Sequence, residues 1–230
     1  MKEITLSIFV PCFNEEKNIT KTLNYIKDGA EEIKYEILVV DDSSEDKTIE
    51  MVKNFKNNNP NMNIKIFTNE NNKGIGFNYY ATASKALGKY YMLINGDAVE
   101  PPEEIKKIIG NIGKADMILT FINDKRGMFR RTVSKLFVLI INLITLNNLK
   151  YYNGPNIYLL ENVKLYKGKK SRFGFQAGLI IEQIRDKKTY IEVEMNPYLR
   201  MEGTSQSLTP RSIYAVVVSL LLIFLNQIIY

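Results

Sequence analysis

Three polar clusters in this chain carry side chains able to do chemistry: Pro11 to Glu15, Asp41 to Thr48, and Asn95-Gly96-Asp97. Their carboxylates and amides can accept hydrogen bonds from sugar hydroxyls or base N–H groups, which is what a nucleotide site requires. The third is the most informative. Tyr90 to Ile94 is the short apolar and aromatic run of a buried strand, and it ends abruptly at Asn95 before Pro101-Pro102 opens a helix. Asp97 is thereby held at the rim of a sheet, where open α/β sheets bind ligands. The competing reading is a strand-turn-helix corner in which Asp97 only caps the backbone.

Composition narrows the chemistry. The chain has no histidine, so Ser-His-Asp and Cys-His machinery and histidine-ligated metals are excluded, leaving carboxylates, amides, hydroxyls and basic groups. One cysteine, Cys12, excludes an intramolecular disulfide and a cysteine-rich zinc site. A net charge of +6 favours an anionic partner: nucleic acid, a phosphorylated ligand or an acidic membrane face. The basic residues gather near apolar stretches rather than among aromatics, which argues against nucleic acid. Met1-Lys2-Glu3 leads directly into a strand-like segment without the apolar region of a secretory signal, so the protein is expected to stay where it is made.

To bring the clusters together, the chain needs a sheet with one polar edge. Ile4 to Val10 reads as a first strand stopped by Pro11; Tyr35 to Val40, Ile64 to Thr68 and Tyr90 to Ile94 supply three more. Helical spacing separates them: Ile19, Leu23 and Ile26, then Ile49, Val52 and Phe55, then Tyr79, Ala83, Ala86 and Leu87 up to a stop at Gly88. This rhythm predicts an α/β fold, a Rossmann-like and mostly parallel sheet with right-handed crossovers and helices on both faces. Each cluster then falls at the carboxyl end of a strand.

Met117 to Ile122 predicts a further strand, followed by a basic connector from Asn123 to Arg131. Val133 to Leu146 is apolar almost throughout but short of the roughly 20 residues that span a bilayer. A helix at about 132–147 is therefore expected, either buried between layers or lying in a membrane interface, and Arg126, Arg130, Arg131 and Lys135 favour a lipid phosphate surface. After a turn-rich junction at Tyr151 to Asn156 come a helix from Phe173 to Ile184 and a strand from Thr189 to Met195. Residues 1–211 read as one domain. Residues 212–230 read as a C-terminal hydrophobic or amphipathic helix: a marginal membrane span, an in-plane anchor or an oligomer interface. Arg200 and Arg211 ahead of it would hold the domain on the cytoplasmic face of a membrane.

Four motifs, Val10-Pro-Cys-Phe-Asn-Glu-Glu16, Val40-Asp-Asp-Ser-Ser-Glu-Asp-Lys-Thr48, Asn72-Lys-Gly-Ile-Gly76 and Gly96-Asp-Ala-Val-Glu-Pro-Pro-Glu-Glu-Ile105, together resemble the family 2 glycosyltransferases of GT-A fold. Phe129-Arg-Arg-Thr-Val-Ser134, Tyr152-Asn-Gly-Pro155, Phe173-Gly-Phe-Gln-Ala177, Tyr190-Ile-Glu-Val193 and Arg200-Met-Glu-Gly203 look like the polyprenyl-phosphate sugar transferases, the branch with dolichol-phosphate mannose synthase. The resemblance implies a nucleotide-sugar donor, UDP- or GDP-linked, held by Pro11, Phe13, Asn14, Glu15, Asp41, Asp42, Ser43, Lys73, Gly74, Asn95 and Gly96. It implies Mg²⁺ or Mn²⁺ at Asp97 and Asn95, and an acceptor phosphate held by Arg126, Arg130, Ser134 and Arg200. Asp97, Arg130 and Arg200 take the catalytic roles.

An inverting transfer to a polyprenyl phosphate suits a histidine-free site, because the phosphate is already anionic and needs no strong base. Three positions depart from the family. Asn95 stands where the family's metal-binding Asp-x-Asp has its first aspartate, Val99 where a polar ligand is common, and Gly178 where an acid follows Gln-Ala; Glu182, one helical turn on, is placed to compensate. Two other readings follow. In one the acceptor is a soluble hydroxyl, with Glu182 or Glu194 as base. In the other the chain is a nucleotide-sugar-binding partner subunit without turnover. Self-association through the hydrophobic helices is a further expectation.

Overall fold

Two interleaved sets of apolar side chains build the sheet. Phe9, Leu38, Val40, Tyr91 and Leu93 enter one core, and Ile8, Val10, Ile37, Val39 and Met92 the other, the period-two pattern of strands buried on both faces. The computed structural model describes residues 3–122, 128–168 and 174–198. In chain order the elements are β1 (Leu6–Cys12), α1 (Ile19–Gly29), β2 (Tyr35–Asp41), α2 (Thr48–Asn58), β3 (Ile64–Thr68), α3 (Ile75–Ala83) and β4 (Tyr90–Leu93). There follow α4 (Pro102–Ile109), β5 (Met117–Ile122), α5 (Met128–Thr145), β6 (Ile157–Leu159), α6 (Leu160–Leu165), α7 (Phe175–Arg185) and β7 (Tyr190–Met195).

The strands form one sheet in the order β3-β2-β1-β4-β6-β5-β7. All pairings are parallel except those of β6, which runs antiparallel to both β4 and β5. The mostly parallel sheet expected from the sequence is therefore present, with one reversed strand that the sequence did not announce. Three residues are too few to display a periodicity, and α6 follows without a break. Helices α1, α2 and α4 cover one face and α3, α5, α6 and α7 the other. Ile19, Leu23 and Ile26 of α1 are fully buried, each stabilising the fold by about 1.5–3 kcal/mol as an upper estimate.

Two expected boundaries move. Pro11 does not stop β1, which continues to Cys12. Phe9 and Pro11 both offer their carbonyls towards the β4 side, to Ile94 and Gly96; the N–H that proline lacks would point there too, where β4 has already ended at Leu93, so no ladder bond is lost. Helix α3 ends at Ala83 rather than at Gly88, and Leu87 is exposed. Gly88 is required for another reason: a Cβ there would collide with the Ser7 nitrogen.

Helix α5 begins earlier than expected and stops where Leu146 turns to φ 55. Both proposed environments occur on it. Ile141 is fully buried, with Phe137, Val138 and Ile144 against the same core, while Leu136, Leu139, Leu143 and Leu146 are 54%, 54%, 67% and 92% exposed. Among the described residues no helix is long and apolar enough to cross a membrane. The 212–230 segment, the 211 boundary and the basic residues of 123–127 lie outside the described residues.

Candidate active site

Parallel pairing brings the polar clusters to one lip. Cys12 stands opposite Asp41 across β1 and β2, and Phe9 opposite Leu93 across β1 and β4. Beyond the ladder, the Asp42 N–H donates to the Cys12 carbonyl at 2.8 Å, Asn69 to Asp41 at 2.9 Å and Gly96 to Pro11 at 3.3 Å. Two antiparallel steps through β6 make β5 and β7 parallel to β4, so Ile122 and Met195 end at the same lip. The Tyr198 N–H there donates to the Val99 carbonyl at 2.8 Å.

Several of the predicted ligands turn out to lace these loops together. Asn14, held at φ 55, receives Glu45 N–H on Oδ1 at 2.9 Å and gives its own N–H to Ser44 Oγ at 2.9 Å. The Glu15 N–H donates to Thr48 Oγ1 at 2.7 Å, and its Oε2 accepts from Asn18 at 2.8 Å. Asp42 does most: Oδ1 accepts from the Lys73 N–H at 2.9 Å and Asn69 Nδ2 at 2.8 Å, and Oδ2 from the Gly74 N–H at 2.8 Å. Its carboxylate thus fixes the Lys73-Gly74 turn, where Gly74 has φ 84. Sequence reasoning had not singled out Ser44, Thr48 or Asn69 for this work, nor Asp46, which accepts the Glu16 N–H at 3.0 Å; their place among loop polar residues was the only signal.

Other donor candidates remain open to a ligand. Asp41 is 5% exposed, and while Oδ2 accepts from Ser44 N–H at 3.3 Å, Oδ1 is buried with no hydrogen-bond partner among the described residues. Phe13, directly after β1, is 38% exposed. Ser43 sits at φ 72, and the exposed Lys73 lays its ammonium over the Phe77 ring at 5.2 Å.

The Asn95 to Glu100 turn is tightly packed. A Cβ on Gly96 would come to 3.0 Å from the Pro11 carbonyl oxygen, so a larger residue would press that backbone aside by a few tenths of an ångström. Ala98 takes φ 54 and gives its N–H to Thr22 Oγ1 at 2.9 Å. Asn95, Asp97 and Val99 are half-buried, whereas Glu100, which sequence reasoning missed, is 4% exposed with Oε2 unpartnered among the described residues. Burial first, and then the Asp97 carboxylate, hold its carboxyl well above the usual range; hydrogen bonds from its own backbone and from Asn95 only partly offset them.

Do these residues suit a divalent cation? Among the described residues no three or more His, Cys, Asp or Glu side chains could hold a metal ion as a group. The lip offers instead the Asp97 carboxylate, the Asn95 amide and the Glu100 carboxyl, whose buried Oε2 has no hydrogen-bond partner among the described residues, all oxygen donors of the hard type that Mg²⁺ and Mn²⁺ take. Such a cation commonly completes its shell with one or two carboxylates and substrate phosphates. The set therefore fits a cation shared with a bound diphosphate.

On the other side of β4 a buried polar network joins Asn156, directly after the Tyr152 to Pro155 motif, to Gln176 of α7. Asn156 Oδ1 accepts from the Thr120 N–H at 2.7 Å and its hydroxyl at 3.0 Å; Asn156 Nδ2 donates to Gln176 Oε1 at 2.8 Å and Tyr158 Oη at 3.0 Å. Gly178 has a structural explanation: a Cβ would collide with the Tyr166 hydroxyl, which fills that space while its ring stacks on Tyr80 at 5.1 Å. Glu182 lies near Tyr166, and burial raises its carboxyl above the usual range; Glu194 is exposed on β7. Ser134 is half-buried on α5. Arg130 belongs to the first turn of α5, with its side chain outside the described residues, as are Arg126 and Arg200 altogether.

A mostly parallel sheet of this order, with its acidic loops converging at one lip, defines an α/β domain of the doubly wound type. The chain belongs to glycosyl transferase family 2, whose profile matches residues 7–176. It is 29% identical over 104 residues to a dolichol-phosphate mannosyltransferase of Pyrococcus furiosus, covering 45% of this chain and 29% of that protein. Over 151 residues it is 30% identical to a dolichyl-phosphate beta-glucosyltransferase of Trichomonas vaginalis, covering 60% of this chain and 46% of the other. It thus spans less than half the length of these curated relatives. Glucosyl-3-phosphoglycerate synthase of Mycobacterium tuberculosis, solved with Mn²⁺, UDP and glucosyl-3-phosphoglycerate, superposes with a TM-score of 0.73 at 17% identity, over 95% of this chain and 79% of that one. Likeness at this identity establishes the fold, the GT-A arrangement that the motifs imply.

Proposed function

We propose that the protein transfers a sugar, with inversion, from a UDP- or GDP-sugar to a polyprenyl phosphate at the cytoplasmic face of a membrane. The observation that carries this reading is the meeting of Asp41, whose buried Oδ1 has no hydrogen-bond partner among the described residues, and the Asn95-Gly96-Asp97 turn at one lip of the sheet. Asp41 accepts a base or ribose hydrogen, and Phe13 offers an aromatic face. The turn built on Asp42 presents Lys73 and Gly74 to the donor. Asp97 and Asn95 would hold Mg²⁺ or Mn²⁺, which when bound supplies positive charge against the departing diphosphate.

An acceptor phosphate oxygen attacks the anomeric carbon as the bond to the diphosphate breaks, and the bonding electrons leave with the nucleoside diphosphate. No base is needed, since the phosphate arrives ionised. Arg126, Arg130, Ser134 and Arg200 are the groups assigned to that phosphate, with Arg130 and Arg200 also opposing the charge that develops in transfer. Two observations support a lipid acceptor: the names of the dolichol-phosphate relatives, and the exposed Leu136, Leu139 and Leu143 on α5, spaced to share one face that suits a membrane surface better than water, with exposed Leu146 just past its end.

Purified protein incubated with labelled UDP-glucose or GDP-mannose, a short polyprenyl phosphate and Mn²⁺ should yield a lipid-linked sugar. Transfer that proceeds equally to a soluble hydroxyl without lipid phosphate would replace the acceptor. Nucleotide binding without any transfer would replace the enzyme reading with that of a binding subunit.

A further inference from the structure

Asn95 puts an uncharged amide at a position suited to an anionic ligand, and five residues on lies a carboxyl with no other evident purpose. Glu100 is 4% exposed, interacts with both Asn95 and Asp97, and leaves Oε2 without a hydrogen-bond partner among the described residues. Such a buried oxygen costs about 1–3 kcal/mol. Helix α4 does not call for it, because Glu103 and Glu104 already place acid in its first turn. Nor does Val99 compete for the role: its side chain has no donor atom, and its carbonyl accepts the Tyr198 N–H.

We propose that Glu100 is the second carboxylate ligand of the cation site formed with Asp97 and Asn95, restoring the negative charge that Asn95 lacks. This rests on reading the lip as a nucleotide-diphosphate site, and it assigns to a position outside the Asn95-Gly96-Asp97 triplet the charge needed for a hard cation. One anionic ligand and one amide would bind such a cation weakly. Two carboxylates, an amide and diphosphate oxygens would supply the hard oxygen donors and negative charge that such a cation takes.

The test is Mn²⁺ binding at saturating UDP or GDP, read from the electron paramagnetic resonance of free Mn²⁺, in the full chain and its variants. Glu100→Gln should weaken binding roughly 10- to 100-fold, with melting in the absence of cation unchanged or raised. Asn95→Asp added to Glu100→Gln should recover most of the loss, which a merely structural Glu100 would not allow. A loss above about fivefold that the double variant recovers supports the assignment; a smaller loss, or no recovery, overturns it. If Glu100→Gln does not fold, Asn95→Asp alone decides: a gain below about fivefold means the second charge is already supplied, and a larger gain overturns the assignment. Nucleotide binding by the parent that ignores Mn²⁺ overturns the cation site and the role of Glu100 with it while leaving the donor site, whereas no nucleotide binding at all overturns the donor site on which it rests.

Discussion

Replacing Asp42 by Asn tests whether this carboxylate is the clamp that shapes the donor loop. Its two oxygens accept three hydrogen bonds, from Lys73 N–H, Gly74 N–H and Asn69 Nδ2, in a residue only 5% exposed. Asn keeps one acceptor oxygen but turns an NH2 group towards a donor, so one buried N–H loses its partner and the remaining bonds lose their charge assistance. An unsatisfied buried donor costs about 1–3 kcal/mol, and hydrogen bonds to charged groups exceed neutral ones by about 1 kcal/mol. Allowing for loop relaxation, the local cost is about 2–3 kcal/mol. At 1.4 kcal/mol per decade, the Lys73 and Gly74 amides should exchange with deuterium roughly 30- to 150-fold faster. Amides of β1 should slow or quicken only with global stability. Nucleotide affinity should fall with the loop, and exchange at Lys73 and Gly74 within about threefold of the parent would refute the clamp.

Gly178→Ala should destabilise the chain by up to about 2 kcal/mol, because the collision with the stacked Tyr166 outweighs the roughly 1 kcal/mol an alanine gains inside a helix. In a Tyr166→Phe background, with the hydroxyl gone, the same change should become neutral or stabilising in urea titrations. Glu36 is fully buried, and although burial alone would raise its pKa, hydrogen bonds from Lys65, Ser7 and the Leu87 N–H lower it on balance. A pKa lower in the folded than in the unfolded chain gives stability that is present above about pH 4.5 and drains as pH falls through the folded value. Glu36→Gln should therefore cost about 1.5–3 kcal/mol at pH 7 and flatten the acid limb of the urea midpoint; an unaltered limb would refute the assignment. Asn156→Ala, which strands the Thr120 N–H and leaves Gln176 Oε1 only the Tyr158 hydroxyl at 3.3 Å, should cost about 1–3 kcal/mol and lower turnover more than nucleotide affinity, read by calorimetry beside the transfer assay.

The parallel half of the fold was legible because its signals are long and repeated. Strands β2, β3 and β5 and the buried face of α1 follow directly from alternation and 3.6-residue spacing. What escaped depends on contacts far away in sequence. The reversed strand β6 is defined by Tyr90 and Met117 flanking it, not by its own three residues. Pro11 could continue β1 only because β4 ends first. On α5 the alternation between core and surface could not be resolved, because both faces are apolar and only the fold shows that Ile141 is inside while Leu143 is out.

The lip of the sheet was legible as a place but not as a set of roles. A polar side chain in a loop looks the same whether it holds a ligand or holds the loop, since both tasks use the same acceptor oxygens. The structure separates them by what is left over. Asn14 and Asp42 have accepted protein N–H groups, so they shape the loops that a donor would meet. Asp41 and Glu100 each keep a buried oxygen without a hydrogen-bond partner among the described residues, and such an oxygen is costly unless a bound group completes it. By that criterion Glu100 joins the site although no spacing rule pointed to it, and Gly178 ceases to be a missing acid, because Tyr166 already occupies the space an acid would need.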